Sequence, residues 1–312
     1  MIVKSEVVER TIRTAQHIIH RMPLDNQRSG QTVLFNVRGI PKEVTCHSLS
    51  DLSMTAEWVV PEVHDDRKII FYIHGGGYGM GDLVSSRALI APIANYCGLK
   101  ALSFEYRLAP EHHFPAPIED CAEAYLYVLS LGYEPKNIVM LGDSAGGGLM
   151  FAFMQYMKQH RYPMPCCGVA LSPWTDLTIT SETYADMDEA DPLLSANVLE
   201  KFADDYIDDN SPLDPLVSPV FGSYDETYPP ILIQVGDKEV LYGDSVKMNE
   251  VLQKGKVDCK LEVYPNMFHI FQLWKIKEAE IAIDNIDEFI NSKFSLKDGD
   301  EKLETGEKLV ST

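Results

Sequence analysis

Apolar residues recur along this chain at two spacings. Over residues 2–21 they fall at Val3, Val7, Val8, Ile12, Ala15, Ile18 and Ile19, the stripe of an amphipathic helix. Two short runs, Val44–Leu49 and Met54–Val60, read as an antiparallel hairpin at a sheet edge. A continuous apolar run at 68–73 then has the character of a strand buried on both faces. From there strands predicted at 99–104, 137–142, 167–172, 230–235 and 258–264 alternate with helix patterns at 83–97, 116–131, 145–160, 243–254 and 276–292. Such alternation builds βαβ crossovers, hence a mostly parallel sheet with helices on both faces. With the hairpin this makes eight strands. Residues 180–215 break the rhythm: they are acidic, carry prolines and hold one helix pattern near Ala196–Tyr206, as an inserted cap element does. Residues 295–312 are rich in Lys, Glu, Asp and Gly with little to bury, and predict a disordered tail. No internal repeat is present.

One junction in this pattern carries chemistry. The apolar run 137–142 stops at Gly142, and Asp143-Ser144-Ala145-Gly146-Gly147-Gly148 opens the next helix. Gly-x-Ser-x-Gly between a strand and a helix forms a tight turn that lifts the serine hydroxyl above the sheet. A serine capping an ordinary turn is the bland reading of the same residues. A second junction decides between them. Strand 68–73 runs into His74-Gly75-Gly76-Gly77-Tyr78-Gly79-Met80-Gly81. Glycines there leave backbone N–H groups free to face a cleft, where they can stabilise an oxyanion. A phosphate-binding loop is the rival, but the glycines do not fit the P-loop or dinucleotide spacing.

Together, His74-Gly75-Gly76-Gly77, Glu105-Tyr106-Arg107-Leu108-Ala109-Pro110-Glu111 and Gly142-Asp143-Ser144-Ala145-Gly146-Gly147 resemble the hormone-sensitive-lipase-like esterases of the α/β-hydrolase superfamily. The blocks occur in family order, and the resemblance spans about residues 65–292. It implies an α/β-hydrolase fold: residues 1–30 as an N-terminal cap region, 31–294 as the catalytic domain with its insert at about 180–215, then the tail. It also implies an oxyanion hole from the N–H groups of Gly75, Gly76 and Ala145, with Gly77 a further candidate, and a structural role for His74.

The serine needs a base and an acid, in the order Ser, acid, His. Two histidines follow Ser144. His160 ends the helix that Ser144 begins, more than about 20 Å away at 1.5 Å per residue. His269, just after the last strand, is where this fold carries its base. The acid belongs after strand 230–235, in Gly236-Asp237-Lys238-Glu239-Val240-Leu241. The family usually carries Asp-Pro-Leu here, and a branch carries Glu-Val-Leu. Aligning on Leu241 favours Glu239, with Asp237 the alternative. Asp191-Pro192-Leu193 and Asp214-Pro215-Leu216 precede the strand and are set aside.

Tyr78, Met80, Trp174 and Leu177, with the N-terminal helix and the insert, are candidates to line an apolar substrate pocket, with core packing the competing role for each. The resemblance implies a small-molecule carboxylic ester of short to medium acyl chain, no cofactor and no metal. Amide, lactone or N-acetyl substrates are alternatives, as is a receptor on this fold that binds without turnover.

Charge and cysteine content narrow the setting. Asp and Glu number 47 against 27 Lys and Arg, a net charge of −20, which disfavours nucleic acid and anionic membranes as partners. The six cysteines show neither zinc nor redox spacing. Residues 1–6 do not resemble a signal peptide, and no apolar run approaches a membrane span. The sequence therefore predicts a cytoplasmic protein and leaves its oligomeric state open.

Overall fold

The computed structural model describes residues 2–309 apart from positions 20 and 37, with side chains described as far as residue 295. Eight strands form one sheet: β1 (Val44–Leu49), β2 (Ala56–Pro61), β3 (Ile69–Ile73), β4 (Lys100–Phe104), β5 (Ile138–Asp143), β6 (Cys167–Leu171), β7 (Ile231–Gly236) and β8 (Cys259–Tyr264). Their order is β1-β2-β4-β3-β5-β6-β7-β8. β2 runs antiparallel to both its neighbours and all other pairs are parallel. The hairpin and the parallel strands thus fall where the apolar pattern predicts them.

Alternation along β3 splits the interior into two cores. Ile69, Phe71 and Ile73 face one, which takes in α4 (Ala116–Ser130), α5 (Ala145–His160) and α8 (Tyr242–Lys254). Ile70 and Tyr72 face the other, which takes in α3 (Leu83–Cys97) and the start of α9 (Lys277–Leu309). A strand buried on both faces must be apolar at every position, which is why β3 lacks the polar alternation of an edge strand. The helix α9 continues as backbone through Leu309, across most of the stretch that composition reads as a disordered tail, in which only the Ser295 side chain is described.

The N-terminal region holds two helices where the sequence pattern gave one, α1 (Ser5–Ile19) and α2 (Leu24–Phe35). Pro23 stands immediately before α2, and the second helix is hard to read because only Gln31 and Leu34 of it are buried. The buried stripe of α1 is also narrower than its apolar residues suggest. Val8, Ile12, Gln16 and Ile19 face inward, while Val7 and Ile18 face solvent. Between β6 and β7 lie the short α6 (Thr183–Asp186) and α7 (Ala196–Ile207). Tyr206 of α7 stacks on Tyr78 at 3.8 Å between ring centroids, which seats this helix on the glycine-rich loop after β3. Among the described residues, no helix is long and apolar enough to cross a membrane.

Candidate active site

Ser144 joins β5 to α5 with φ 54° and ψ −125°. A residue with a Cβ held there stores about 1–3 kcal/mol of backbone strain, which surrounding contacts must over-determine. They do. The Ser144 N–H donates to Leu171 O at 2.8 Å, and its carbonyl accepts from Trp174 N–H at 2.9 Å. A side chain at Gly142 would collide with the Gly146 carbonyl, and one at Gly146 with the carbonyls of Ile73 and His74. The flanking glycines are therefore a steric requirement of the turn.

The loop after β8 brings His269 to this serine. Its Nε2 lies 2.9 Å from Ser144 Oγ, and its Nδ1 lies 3.2 Å from Glu239 Oε1. All three residues are buried. A carboxylate at Nδ1 draws the imidazole proton there, leaving Nε2 to accept from the hydroxyl. The other carboxylate oxygen, Glu239 Oε2, accepts from Ser172 Oγ at 2.9 Å and from Gly236 N–H at 3.1 Å. Asp237 is directed elsewhere: its Oδ1 accepts from Asn266 N–H at 2.6 Å and shapes the loop leading to the histidine. Of the two carboxylates left open by the sequence, only Glu239 meets His269. Burial, the largest influence on His269, disfavours its cation. The hydrogen bond and charge of Glu239, then the charges of Asp191 and Asp143, outweigh it and hold the pKa above 6.5.

The glycine loop requires one correction. Gly75, expected as an oxyanion donor, gives its N–H to Asp143 Oδ1 at 3.1 Å. The same oxygen accepts from Tyr72 OH at 2.6 Å. Asp143 is buried, and burial pushes its pKa up to about 6. Gly76 and Gly77 line the cleft beside Ser144 instead. No acceptor among the described residues takes their N–H groups or that of Ala145. His74 stacks on Tyr106 at 4.1 Å, its Nδ1 pairs with Gly75 O at 2.7 Å, and burial lowers its pKa to about 4. It sits neutral within the loop, between Tyr106 and the Gly75 carbonyl.

The cleft over Ser144 is a cavity of about 30 Å³, walled by Met80, Leu194, Phe202 and Ile270 and by Gln16 and Gln31 of the N-terminal helices. Of the predicted lining residues only Met80 is there. Tyr78, Trp174 and Leu177 lie in the core instead, at 1%, 0% and 3% exposure. The stack of Tyr78 on Tyr206, and Trp174 beyond it, consume the aromatic surface that sequence reading offered to substrate.

Several supporting residues have no sequence signature. Asp191, set aside as a triad acid, is buried at the acid loop: its Oδ1 accepts from Leu193 N–H at 2.8 Å, and its Oδ2 from Val240 N–H at 3.1 Å. Ser172 bridges Glu239 and the N–H of Ile270, the latter at 3.2 Å. Asp143 could have been found, since it sits inside the serine motif. Ser172 and Asp191 could not, because their roles depend on packing between distant loops. His160 sits at the exposed end of α5, its Nδ1 2.9 Å from Tyr156 O. Among the described residues no group of three or more His, Cys, Asp or Glu side chains could hold a metal ion.

A family model described as the α/β-hydrolase fold matches residues 70–273. An "Acetyl-hydrolase" of Streptomyces hygroscopicus is 34% identical over 240 residues, covering 76% of this chain and 80% of its own length. An "Esterase" of Acinetobacter venetianus is 37% identical over 228 residues, covering 72% and 75%. A solved esterase of the bacterial hormone-sensitive lipase family superposes with a TM-score of 0.88 at 32% identity, covering 94% of this chain and all of its own. The strand order, the strained serine and these likenesses agree: the chain belongs to the α/β-hydrolase family, in its hormone-sensitive-lipase-like branch.

Proposed function

We propose that this protein is a serine carboxylesterase acting on small esters of short to medium acyl chain. The observation that carries the reading is the unbroken relay from Ser144 Oγ through His269 to Glu239, at 2.9 and 3.2 Å. His269 Nε2 takes the hydroxyl proton as Ser144 Oγ attacks the ester carbonyl. Glu239 holds the imidazole in the required tautomer and stabilises its cation. The developing oxyanion is met by the N–H groups of Gly76, Gly77 and Ala145, donors of a kind whose individual removal costs about 3–4 kcal/mol of transition-state stabilisation. The C–O bond to the alcohol then breaks, and the alcohol departs with the proton from His269. Water, deprotonated by the same nitrogen, hydrolyses the acyl-serine and restores the hydroxyl.

The names of its relatives, an esterase and an acetyl-hydrolase, support a short acyl group. The cavity of about 30 Å³ has room for a water or two and not for an ester, so its volume does not discriminate between acyl lengths. An ester enters as Phe202 or the N-terminal helices, which wall the cavity, give way. A receptor without turnover is the less favoured reading, because such a receptor has no need of a complete relay. Steady-state hydrolysis of p-nitrophenyl acetate and p-nitrophenyl butyrate tests the proposal. Turnover that disappears in Ser144→Ala supports it, and turnover unchanged in that variant refutes it.

A further inference from the structure

Two glutamines occupy positions where the packing calls for apolar residues. The inward face of α1 reads Val8, Ile12, Gln16, Ile19, and that of α2 reads Gln31, Leu34. Gln16 and Gln31 are 8% and 7% exposed, and the side-chain carbonyl oxygen of each is sealed from solvent with no hydrogen-bond partner. A buried amide oxygen without a donor destabilises the fold, so two of them on one surface want an explanation. Both residues line the cleft that holds Ser144 and His269.

The helices that carry them are anchored. The Arg28 guanidinium donates to the carbonyls of Gly79 and Ala109, each at 2.9 Å, and grips both carboxylate oxygens of Glu111. Thr32 Oγ1 donates to Asp82 Oδ2 at 2.5 Å. Arg13 on α1 donates to the carbonyls of Glu189 and Ala190, each at 2.9 Å. The two amides are thus held over the serine on tethered elements, an arrangement suited to recognition.

Resting on the hydrolase reading above, we infer that Gln16 and Gln31 form a polar subsite selecting esters that carry a neutral hydrogen-bond donor beyond the scissile carbonyl. The unpartnered oxygens accept a hydrogen bond and the amide N–H groups beside them can offer one, so the group that suits the pair is a hydroxyl or an amide, which can meet either. No Lys, Arg, Asp or Glu side chain lines the cleft, so nothing there calls for a charged substituent. A site built to hydrogen-bond a substrate group discriminates against the analogue lacking it, because its own buried polar atoms are left unpaired.

Two matched pairs of esters test this: p-nitrophenyl 3-hydroxybutyrate against p-nitrophenyl butyrate, and 2-hydroxyethyl butyrate against propyl butyrate. The first varies the acyl side and the second the alcohol side. The wild type should favour the hydroxyl-bearing member of at least one pair by roughly three- to tenfold in kcat/KM, the scale of one neutral hydrogen bond. In Gln16→Leu combined with Gln31→Leu that ratio should fall toward one. The double variant should also melt at a higher temperature, since it buries leucine where an unpartnered amide stood. A ratio near one for both pairs in the wild type, a ratio insensitive to the double substitution, or a lowered melting temperature each overturns the inference while leaving ester hydrolysis intact. Absence of turnover on all four esters removes the hydrolase reading and the inference with it.

Discussion

The N–H of Gly75 donates to Asp143 Oδ1 at 3.1 Å, so the residue before Ser144 anchors the loop that faces Ser144. Tyr72 OH holds the same oxygen at 2.6 Å from the strand below. β3, the glycine loop and the serine turn are thereby locked through one buried carboxylate. Asp143→Leu should release the loop, misdirect Gly76 and Gly77, and lower kcat by about ten- to a hundredfold, as expected when positioning is lost at the reacting centre. Asp143→Asn keeps an acceptor and should retain most activity. Equal losses in the two variants would contradict this role.

The acid is expected to be Glu239. Glu239→Gln disturbs the tautomer and charge behind His269 and should lower kcat by about a hundred- to ten-thousandfold. Asp237→Asn preserves an acceptor for Asn266 N–H and should change kcat by less than about threefold. Steady-state kinetics on p-nitrophenyl butyrate decides, and the reverse order of effects would transfer the role to Asp237.

The pH profile follows from the surroundings of His269. In the proposed mechanism its neutral form is the base, and its pKa is raised above 6.5 by Glu239, Asp191 and Asp143 acting against burial. Activity should therefore rise with pH through an acid limb centred above 6.5. Removing the Asp191 charge takes away part of what favours the imidazolium. The limb in Asp191→Asn should move to lower pH, whereas a move to higher pH, or none, would contradict the electrostatic account. The measurement is log kcat/KM against pH for both proteins.

Met80 and Trp174 separate specificity from stability. Met80 lines the cleft, so Met80→Ala should widen it and improve kcat/KM for longer acyl chains relative to butyrate. Trp174 is wholly buried, so Trp174→Ala should cost about 3–5 kcal/mol of folding stability. Chemical denaturation and an acyl-chain panel distinguish the two.

How legible these features were in the sequence depended on whether one local feature determined them. β3 and β5 were readable because a strand buried on both faces is apolar throughout, and Ser144 because its turn admits only glycine at 142 and 146. The rise of a helix was enough to set His160 apart from Ser144, while His269 was picked out by where this fold carries its base. The assignment of Gly75 failed because its N–H is taken by a side chain from β5, a contact with no trace in the loop's own residues. Trp174 and Tyr78 misled because an aromatic that packs a core and one that lines a pocket look alike in sequence. Gln16 escaped notice because a polar residue on the buried stripe of α1 carries no local signal, and the second helix beside it was not readable at all.

The central claim is that Ser144 is a nucleophile activated through His269 and Glu239. Diethyl p-nitrophenyl phosphate, which phosphorylates activated serines, measures this directly when followed by peptide mass spectrometry. One diethylphosphoryl group should appear on the peptide bearing Ser144, in step with loss of p-nitrophenyl butyrate hydrolysis, and labelling should be absent in Ser144→Ala and slow in Glu239→Gln. Full inhibition with the label on another residue, or persistent esterase activity in Ser144→Ala, would contradict the account.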